Sequence, residues 1–486
     1  MSEVQILAML GLLLYFAVLL LIVTKEKKND NVLDYFFAGR QLSFWQLSLT
    51  FIASWWGAGS AISTADLAYQ DGLGAFWYYG VPVLLSTFLM IVGARSIRKV
   101  GYLTQGKMLE ARYSQSTAKL LSIMILIFMT FSAASQMVGV GSFFSTYLGI
   151  SYELAVLLGT SIVFIYSLFG GFRGVVLTDI IQFILLLLSA VAVFVVAMNH
   201  AGGLEAISAQ ATALGKQDYL SLTAGAPKYM TFVITFGCSW MIQANVWQRI
   251  SATKSNEDAH KMTVMSFFAY IPLYLLVVLT GMAGLVIFRT LPPGGIVPTL
   301  VMQYMPPVLG ALAFVGISAA IMSTMDSLIN TGAMTLTIDL HDGEQDERQQ
   351  LYFSRCATVV VTSVALIISL AIRSILTVTW IASDVITTGV FVPLVAGFFW
   401  RRGNAQGAMA SMLWGLMYCF YNLLLFFGLD LPAFWQPQTT LQVVIGVAVS
   451  LCTYVGVSLC TDPEYAKADA FIALAKEGEE QSPAEE

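Results

Sequence analysis

The sequence predicts an all-α polytopic membrane protein with about thirteen transmembrane helices. Of its 486 residues, 57% are hydrophobic and only 11% are charged, whereas soluble domains carry about 25% charged residues. The apolar residues fall in runs of about 20, the length that a helix needs to cross a bilayer. The basic residues lie between these runs and sort to alternating sides. Together these observations exclude an ordinary soluble enzyme.

Thirteen apolar runs, here called spans 1 to 13, are long enough to cross the membrane. They cover residues 5–24, 45–68, 73–94, 120–148, 152–170, 175–199, 229–248, 262–288, 307–338, 352–372, 376–400, 405–427 and 438–460. Barrel strands would alternate in polarity over about ten residues, and these runs do not. Span 1 lacks a basic flank and a cleavage site, so we expect a retained helix and not a signal peptide.

The distribution of lysine and arginine predicts the orientation. With the N-terminus outside, twenty of the 24 basic residues fall in cytoplasmic segments, and the outer segments hold only Lys216, Lys228, Arg289 and Arg373. This excess is the signal that orients membrane proteins. We therefore expect an outer N-terminus and a cytoplasmic C-terminus. The acidic tail that follows span 13 has a composition typical of disorder, apart from a helical pattern over residues 465–476.

Charged residues are rare within the spans, and no basic residue lies in the middle of one. No lysine or arginine is expected in the middle of a span, whereas Asp66, Asp179, Asp326 and Asp384 fall within spans. Ionisable groups are costly in a membrane and usually mark an ion pathway. Asp66 and Asp179 lie near span ends, where water can reach them. Asp326 and Asp384 are deeper and favour a functional role.

Span 2 contains a predicted helix interruption. Its centre reads Ala53-Ser54-Trp55-Trp56-Gly57-Ala58-Gly59-Ser60, and glycines weaken a helix. Transporters bind ions at such breaks, because unwound backbone exposes its carbonyl oxygens. The alternative is a small-residue packing seam between helices. Trp55 lies in the break, where an aromatic wall would suit an apolar face, a sugar ring or a quaternary amine.

Span 9 combines small and oxygen-bearing side chains on one helical face. At 3.6 residues per turn, Gly316, Ala320, Ser323, Ser327 and Asn330 align. Hydroxyl and carboxylate oxygens are the ligands that hard cations prefer. The alternative is that the hydroxyls bond to carbonyls of their own helix. The cluster of Ser, Thr and Asp favours a sodium site.

Four motifs in order resemble those of the sodium:solute symporter family, over residues 34 to 402. They are the loop 34–40 (DYFFAGR), the signature region 170–182 (GGFRGVVLTDIIQ), the pair Gln248-Arg249, and the hydroxyl pair Ser323-Thr324. The resemblance implies a LeuT-like core of two inverted five-helix repeats, formed by spans 2–6 and 7–11. It divides the chain into a first helix and loop (residues 1–44), a first repeat (45–200), an outer loop (201–228), a second repeat (229–402), two further helices (403–460) and an acidic tail (461–486).

The same resemblance implies the binding residues. A sodium site would use the carbonyls of Ala53, Trp56 and Ala320 with the hydroxyls of Ser323 and Thr324. Some members bind a second ion, which here would involve Asp179, Ser323 and Ser327, with Asp326 in place of a family hydroxyl. The residues implied to contact substrate are Trp55, Ser60, Tyr79, Gln136, Trp240 and Gln243.

The substrate itself is not readable from these positions. Trp55 stands where proline carriers have an aspartate, and no arginine lies near Gln136 to hold a carboxylate as in sialate carriers. Gln243 replaces a tryptophan of choline carriers. The resemblance nevertheless implies a Na⁺-coupled symporter in the cell membrane, which moves a small organic solute inward by alternating access.

Three other functions remain as alternatives: a proton-coupled carrier, an uncoupled carrier or channel, and a transporter-like sensor. The short tail disfavours the sensor. Composition predicts neither a nucleic-acid partner nor a catalytic group among the spans. The oligomeric state stays open.

Overall fold

The computed structural model describes residues 3–25, 32–341 and 347–477, and within these ranges it contains twenty α-helices and no strand. The helices, numbered α1 to α20, are Glu3–Lys25, Val32–Phe37, Phe44–Ala53, Thr64–Asp71, Phe76–Val100, Gln105–Arg112, Gln115–Leu148, Tyr152–Ala201, Gly203–Ala213, Ala226–Met241, Ala244–Ser251, Asn256–Ile287, Ile296–Tyr304, Pro307–Met334, Glu347–Ala371, Ile375–Gly389, Phe391–Ala396, Ala405–Phe426, Thr440–Cys460 and Tyr465–Glu477. Short 3₁₀ or π segments join several of them, including the π segment Gly59–Ser63.

The predicted helical membrane fold is confirmed. Nine helical segments among the described residues are long and apolar enough to cross a membrane, and three shorter apolar helices accompany them. Every one of the thirteen apolar runs coincides with helical structure. The number of crossings, the orientation of the termini and the boundaries of the two repeats stay predictions.

Spans 5 and 6 form the 50-residue helix α8, which bends at Gly171. This residue has φ 53° and ψ −166°, a backbone conformation that glycine adopts readily because it lacks a Cβ. The bend falls within the signature region and precedes the turn that carries Asp179. It therefore sets the direction from which Asp179 enters the bundle.

Helix α14 occupies the centre of the bundle. All residues from Ala313 to Met334 are buried, and α14 packs against α7 and α8. A Cβ on Gly316 would lie 2.5 Å from the carbonyl oxygen of Leu185 in α8. This close approach explains the small residues on the face of span 9 and brings its hydroxyls next to α8.

The helical pattern at residues 465–476 of the acidic tail is confirmed, since Tyr465–Glu477 form helix α20. Helix α20 packs against α5 and α6. Its apolar face, made of Ala468, Phe471 and Ala475, is buried, and the ring of Phe471 lies 5.2 Å from that of Phe398. The amphipathic spacing outweighs the acidic composition, because the apolar side chains have a surface to cover. The rest of the tail lies outside the described residues.

Candidate functional site

Two interrupted helices frame the centre of the protein. Helix α3 ends at Ala53, and helical structure resumes near Gly59, which places the break where the sequence predicts it. A second break separates α10 from α11 at residues 242–243. The sequence analysis missed this second break, since no glycine or proline marks it. The indole nitrogen Nε1 of Trp55 donates a 2.5 Å hydrogen bond to Oε1 of Gln243, which joins the two breaks.

A small cavity lies between the breaks and α5, α7, α14 and α16. All six residues implied to contact substrate line it: Trp55, Ser60, Tyr79, Gln136, Trp240 and Gln243. The cavity also has lining residues that the sequence analysis did not assign to it, namely Ser54, Gly57, Gly59, Ser132, Ser135, Thr324, Leu328 and Thr379. Ser132 lies one turn before Gln136 on α7, so helical spacing from Gln136 would have found it.

Aromatic rings form one wall of this cavity. Trp240 stacks on Phe236, with ring centroids 4.8 Å apart and planes inclined by 6°, and its ring lies 5.0 Å from that of Tyr79. The centroid of Trp55 lies 6.3 Å from that of Trp240. Ring pairs at these separations attract each other beyond simple burial. The wall is therefore held in place before any ligand binds.

The two glutamines of the cavity have fixed amide orientations. Oε1 of Gln243 accepts from the indole of Trp55, and Oε1 of Gln136 accepts a 2.8 Å hydrogen bond from the backbone nitrogen of Ala58. Both partners can only donate, so each glutamine must turn its oxygen towards the protein. The amide NH₂ groups remain, and that of Gln136 makes one further hydrogen bond, to Ser135. A Cβ on Gly57 would lie 2.8 Å from Cδ of Gln136, which explains the glycine there.

Three of the five oxygens expected to bind sodium come together. The hydroxyl of Thr324 lies 3.4 Å from the carbonyl oxygen of Ala53 and 3.4 Å from that of Ala320. Trp56 follows Ala53 in the break and its side chain is fully buried. The hydroxyl of Ser323 instead donates to the carboxylate of Asp179. Since Thr324 also lines the cavity, the expected cation site and the cavity share a side chain.

Asp179 is paired with a fully buried arginine. Nη2 of Arg249 lies 3.1 Å from Oδ2 of Asp179, and this guanidinium also donates to Thr50 at 3.1 Å and to Ser327 at 2.7 Å. Asp179 accepts further hydrogen bonds from Thr50 and Ser323. The side chain of Arg249 therefore lies inside the helical bundle. The sequence analysis counts Arg249 among the twenty cytoplasmic basic residues, because it follows the last apolar residues of span 7, but the second break carries α11 into the bundle.

Asp326 belongs to the same polar cluster. Its Oδ2 accepts a 2.7 Å hydrogen bond from the Tyr166 hydroxyl, and its Oδ1 lies 3.3 Å from the hydroxyl of Ser327. Tyr166 carries no sequence signal that would pair it with α14. Among the described residues, this cluster contains two carboxylates and one guanidinium. With both acids ionised, it would hold one negative charge without a counterpart.

A bundle of membrane helices with interrupted helices around a central cavity is the architecture of secondary transporters. A model of the sodium:solute symporter family matches residues 35–415. The chain belongs to this family and is a secondary transporter.

The sodium/pantothenate symporter of Haemophilus influenzae is 26% identical over 437 residues, covering 85% of this chain and 88% of that protein. The sodium/glucose cotransporter of Vibrio parahaemolyticus is 24% identical, covering 86% and 84%.

The fold is shared with a solved symporter. The structure of a Na⁺-coupled sialic acid symporter in a substrate-bound, outward-open state superposes with a TM-score of 0.76 at 20% identity. The match covers 94% of this chain and 98% of that chain. The LeuT-like fold class is thereby confirmed.

Proposed function

We propose that the protein is a Na⁺-coupled symporter of the cell membrane that carries a small organic solute inward by alternating access, without catalysing a reaction. One observation carries this proposal. The Thr324 hydroxyl lies against two carbonyls of the expected cation site and also lines the cavity. A cation at Ala53, Trp56, Ala320, Ser323 and Thr324 would therefore fix the wall against which the solute packs.

Coupling follows from this shared wall. Na⁺ bound to carbonyls of the break would hold the unwound segment in one conformation, and the solute would then meet a preformed cavity. Because linkage is reciprocal, each ligand raises the affinity for the other. The membrane potential supplies about 2.3 kcal/mol per charge per 100 mV to drive Na⁺ inward.

The geometry around Asp179 favours one Na⁺ per transport cycle. The guanidinium of Arg249 donates to both Asp179 and Ser327, two of the residues implied for a second sodium ion, while Asp326 makes the remaining contact to Ser327. We infer that the arginine supplies the positive charge that a second Na⁺ would bring. The test is the charge moved per solute, measured in proteoliposomes at set voltages. A second Na⁺ would add one charge per cycle.

Proton coupling is the second candidate, because the cluster around Asp179 and Asp326 has more carboxylates than guanidinium groups. Two carboxylates face one guanidinium, so a proton on Asp326 would neutralise the cluster. Uptake driven by a pH gradient in the absence of Na⁺ would favour this candidate. Uptake that follows the Na⁺ gradient alone would exclude it.

The cavity favours a solute that offers oxygen acceptors and carries no net positive charge. No charged side chain lines the cavity among the described residues. In Gln136 and in Gln243 the side-chain oxygen faces a protein donor, so the NH₂ group points away from that donor. A cation in this cavity would lose its hydration without meeting a carboxylate, which is unfavourable. Hydroxyl, carbonyl or carboxylate oxygens would instead receive the amide donors, while the aromatic wall packs against the carbon skeleton.

Thermal unfolding of the purified protein tests these proposals together. The probes are pantothenate, glucose, proline and choline, each the solute of a related transporter, and each is tested in Na⁺ and in K⁺. A ligand raises the melting temperature by mass action. We expect a shift with an oxygen-rich solute that requires Na⁺. A shift with choline alone would contradict the proposed solute class, and a shift that is equal in K⁺ would contradict sodium coupling.

Gln243→Glu is expected to weaken solute binding by about 10- to 100-fold. The substitution removes one hydrogen bond to the solute and places a carboxylate oxygen against an acceptor oxygen of the solute. The variant keeps the shape and the oxygen that faces Trp55, but replaces the donor by a carboxylate oxygen. Solute affinity is measured by calorimetry at saturating Na⁺. Gln406→Glu on the exposed face of α18 is the matched control, with no expected effect. Unchanged affinity in Gln243→Glu would show that the Gln243 amide does not contact the solute.

A further inference from the structure

Asp384 on α16 is a buried carboxyl that the proposed transport mechanism does not use. It is 1% exposed, and its Oδ2 accepts a 2.9 Å hydrogen bond from Nε2 of Gln442 on α19. Gln442 is itself fixed, since its oxygen accepts from the backbone nitrogen of Gln438 at 2.7 Å. Oδ1 of Asp384 makes no hydrogen bond within the described structure. The amide that holds the carboxyl is thus neutral.

No positive charge faces this carboxyl in the described part of the chain. Helix α16 packs against α7, α10, α17, α18 and α19, and the titratable groups that face Asp384 are the phenol of Tyr418 and the thiol of Cys419 on α18. The charged residues on these neighbouring helices are Lys119 and Lys228, near the ends of α7 and α10. An ionised carboxylate without a counter-charge is strongly unfavourable in such a place, so the carboxyl requires a proton or another cation.

Two further buried hydroxyls, those of Thr379 and Ser383, lie on α16 between the level of Asp384 and the central cavity. Thr379 lines the cavity and lies five residues earlier on α16, about 7.5 Å along the helix axis. The hydroxyls of Thr379 and Ser383 share one side of the helix and are buried without a hydrogen-bond partner among the described residues. Buried polar groups of this kind are usually completed by internal water. Water at Ser383 would lie within one residue of Asp384 along α16, while the carboxyl itself faces Gln442 of α19.

We propose that Asp384 is a proton-binding site of this carrier, whose proton exchanges with water as α16 moves during the transport cycle. The buried carboxyl holds the proton in the arrangement that the structure shows. The proton passes to water when the helix moves and returns before the next cycle. At alkaline pH the returning proton is scarce, so that this arrangement forms more slowly and transport slows. This inference depends on the proposed function only through its uptake measurement.

The decisive experiment compares the pH dependence of solute uptake in the wild type and in Asp384→Asn. Asparagine has the shape of the protonated acid, can accept from Gln442 and does not titrate. With pantothenate or glucose, whichever solute the wild type carries, we expect wild-type uptake to fall about fivefold or more between about pH 6 and about pH 9, and that of Asp384→Asn to change less than about twofold. Identical pH profiles in both proteins would overturn the proposal. Asp430→Asn, an exposed control, should behave as the wild type.

Two further measurements keep the test independent of transport. If Asp384→Asn is inactive, the melting temperature of the purified protein is measured against pH: the variant should lose a pH-dependent component that the wild type shows. Gln442→Leu removes the amide that donates to the carboxylate and should move the midpoint of the wild-type pH profile upward by about one unit. An unmoved midpoint would contradict the proposal. Uptake by the wild type that does not depend on Na⁺ would instead contradict the proposed function, and the melting temperatures would still test the role of Asp384.

Discussion

Arg249→Met is expected to abolish Na⁺-driven uptake and to lower the free energy of unfolding by about 3–5 kcal/mol, the range for breaking one side of a buried ion pair. The substitution leaves Asp179 and Asp326 without a guanidinium and deprives Thr50 and Ser327 of their donor. Arg249 is 0% exposed, so water cannot replace it without a rearrangement of the bundle. Stability is measured by denaturant or thermal unfolding in detergent.

The double variant Asp179→Asn/Arg249→Met isolates the pair itself. Removing both charges together should restore most of the stability lost in Arg249→Met, because neither partner is left buried and unpaired. The exposed pair Arg95–Glu257, whose side chains are 50% and 53% exposed, provides the control: Arg95→Met should cost less than about 1 kcal/mol. Equal stability of Arg249→Met and the wild type would show that the ion pair contributes nothing.

The same variant addresses the inferred stoichiometry. If the guanidinium takes the place of a second cation, then high Na⁺ should stabilise Arg249→Met more than it stabilises the wild type, since a vacated site can bind the ion. An identical Na⁺ response in the two proteins would show that Asp179 offers no sodium site even when the arginine is removed.

Thr324→Ala is expected to raise the Na⁺ concentration for half-maximal uptake by about 10- to 100-fold, which corresponds to one lost hydrogen-bonding ligand to a charged group. The hydroxyl that is removed lies 3.4 Å from both the Ala53 and Ala320 carbonyl oxygens. Uptake at saturating Na⁺ should change much less. The measurement is initial uptake against Na⁺ concentration in proteoliposomes.

Thr324→Ser is the matched control, because it keeps the hydroxyl and removes only a methyl group. We expect its Na⁺ dependence to lie close to that of the wild type. If Thr324→Ala has a normal Na⁺ dependence, the cation does not bind at this hydroxyl and the proposed site is wrong. If both variants are equally impaired, packing of the methyl group is responsible and not ligation.

The sequence predicts the membrane fold well because bilayer thickness imposes a length and polarity that are visible locally. It also predicts the break at Ala53 to Ser60, since glycines mark it. Of the six cavity residues, Trp55 is marked by the local break, and the other five are found through the family resemblance. Periodicity describes one helix at a time, and these residues come from α5, α7, α10, the π segment Gly59–Ser63 and the two breaks.

What the sequence does not predict depends on contacts between distant segments. The pairing of Asp179 with Arg249 joins positions 70 residues apart, and that of Tyr166 with Asp326 joins positions 160 apart. The break at residues 242–243 carries no glycine, yet it alone moves Arg249 from an expected loop into the bundle. Because the sequence analysis treats span 7 as one continuous helix, it misses the positive charge that Arg249 brings to the cluster around Asp179.

The docked helix α20 has a practical consequence for handling the protein. Asp469 forms two hydrogen bonds with Arg401, at 2.5 and 2.6 Å, and Lys467 reaches the carbonyl oxygen of Tyr113 at 2.9 Å. A purification tag or fluorescent reporter attached directly after span 13 would displace this helix and uncover the ring of Phe398. Fusions placed beyond Glu477 keep it seated, and a protease site engineered between residues 461 and 465 would report on its detachment.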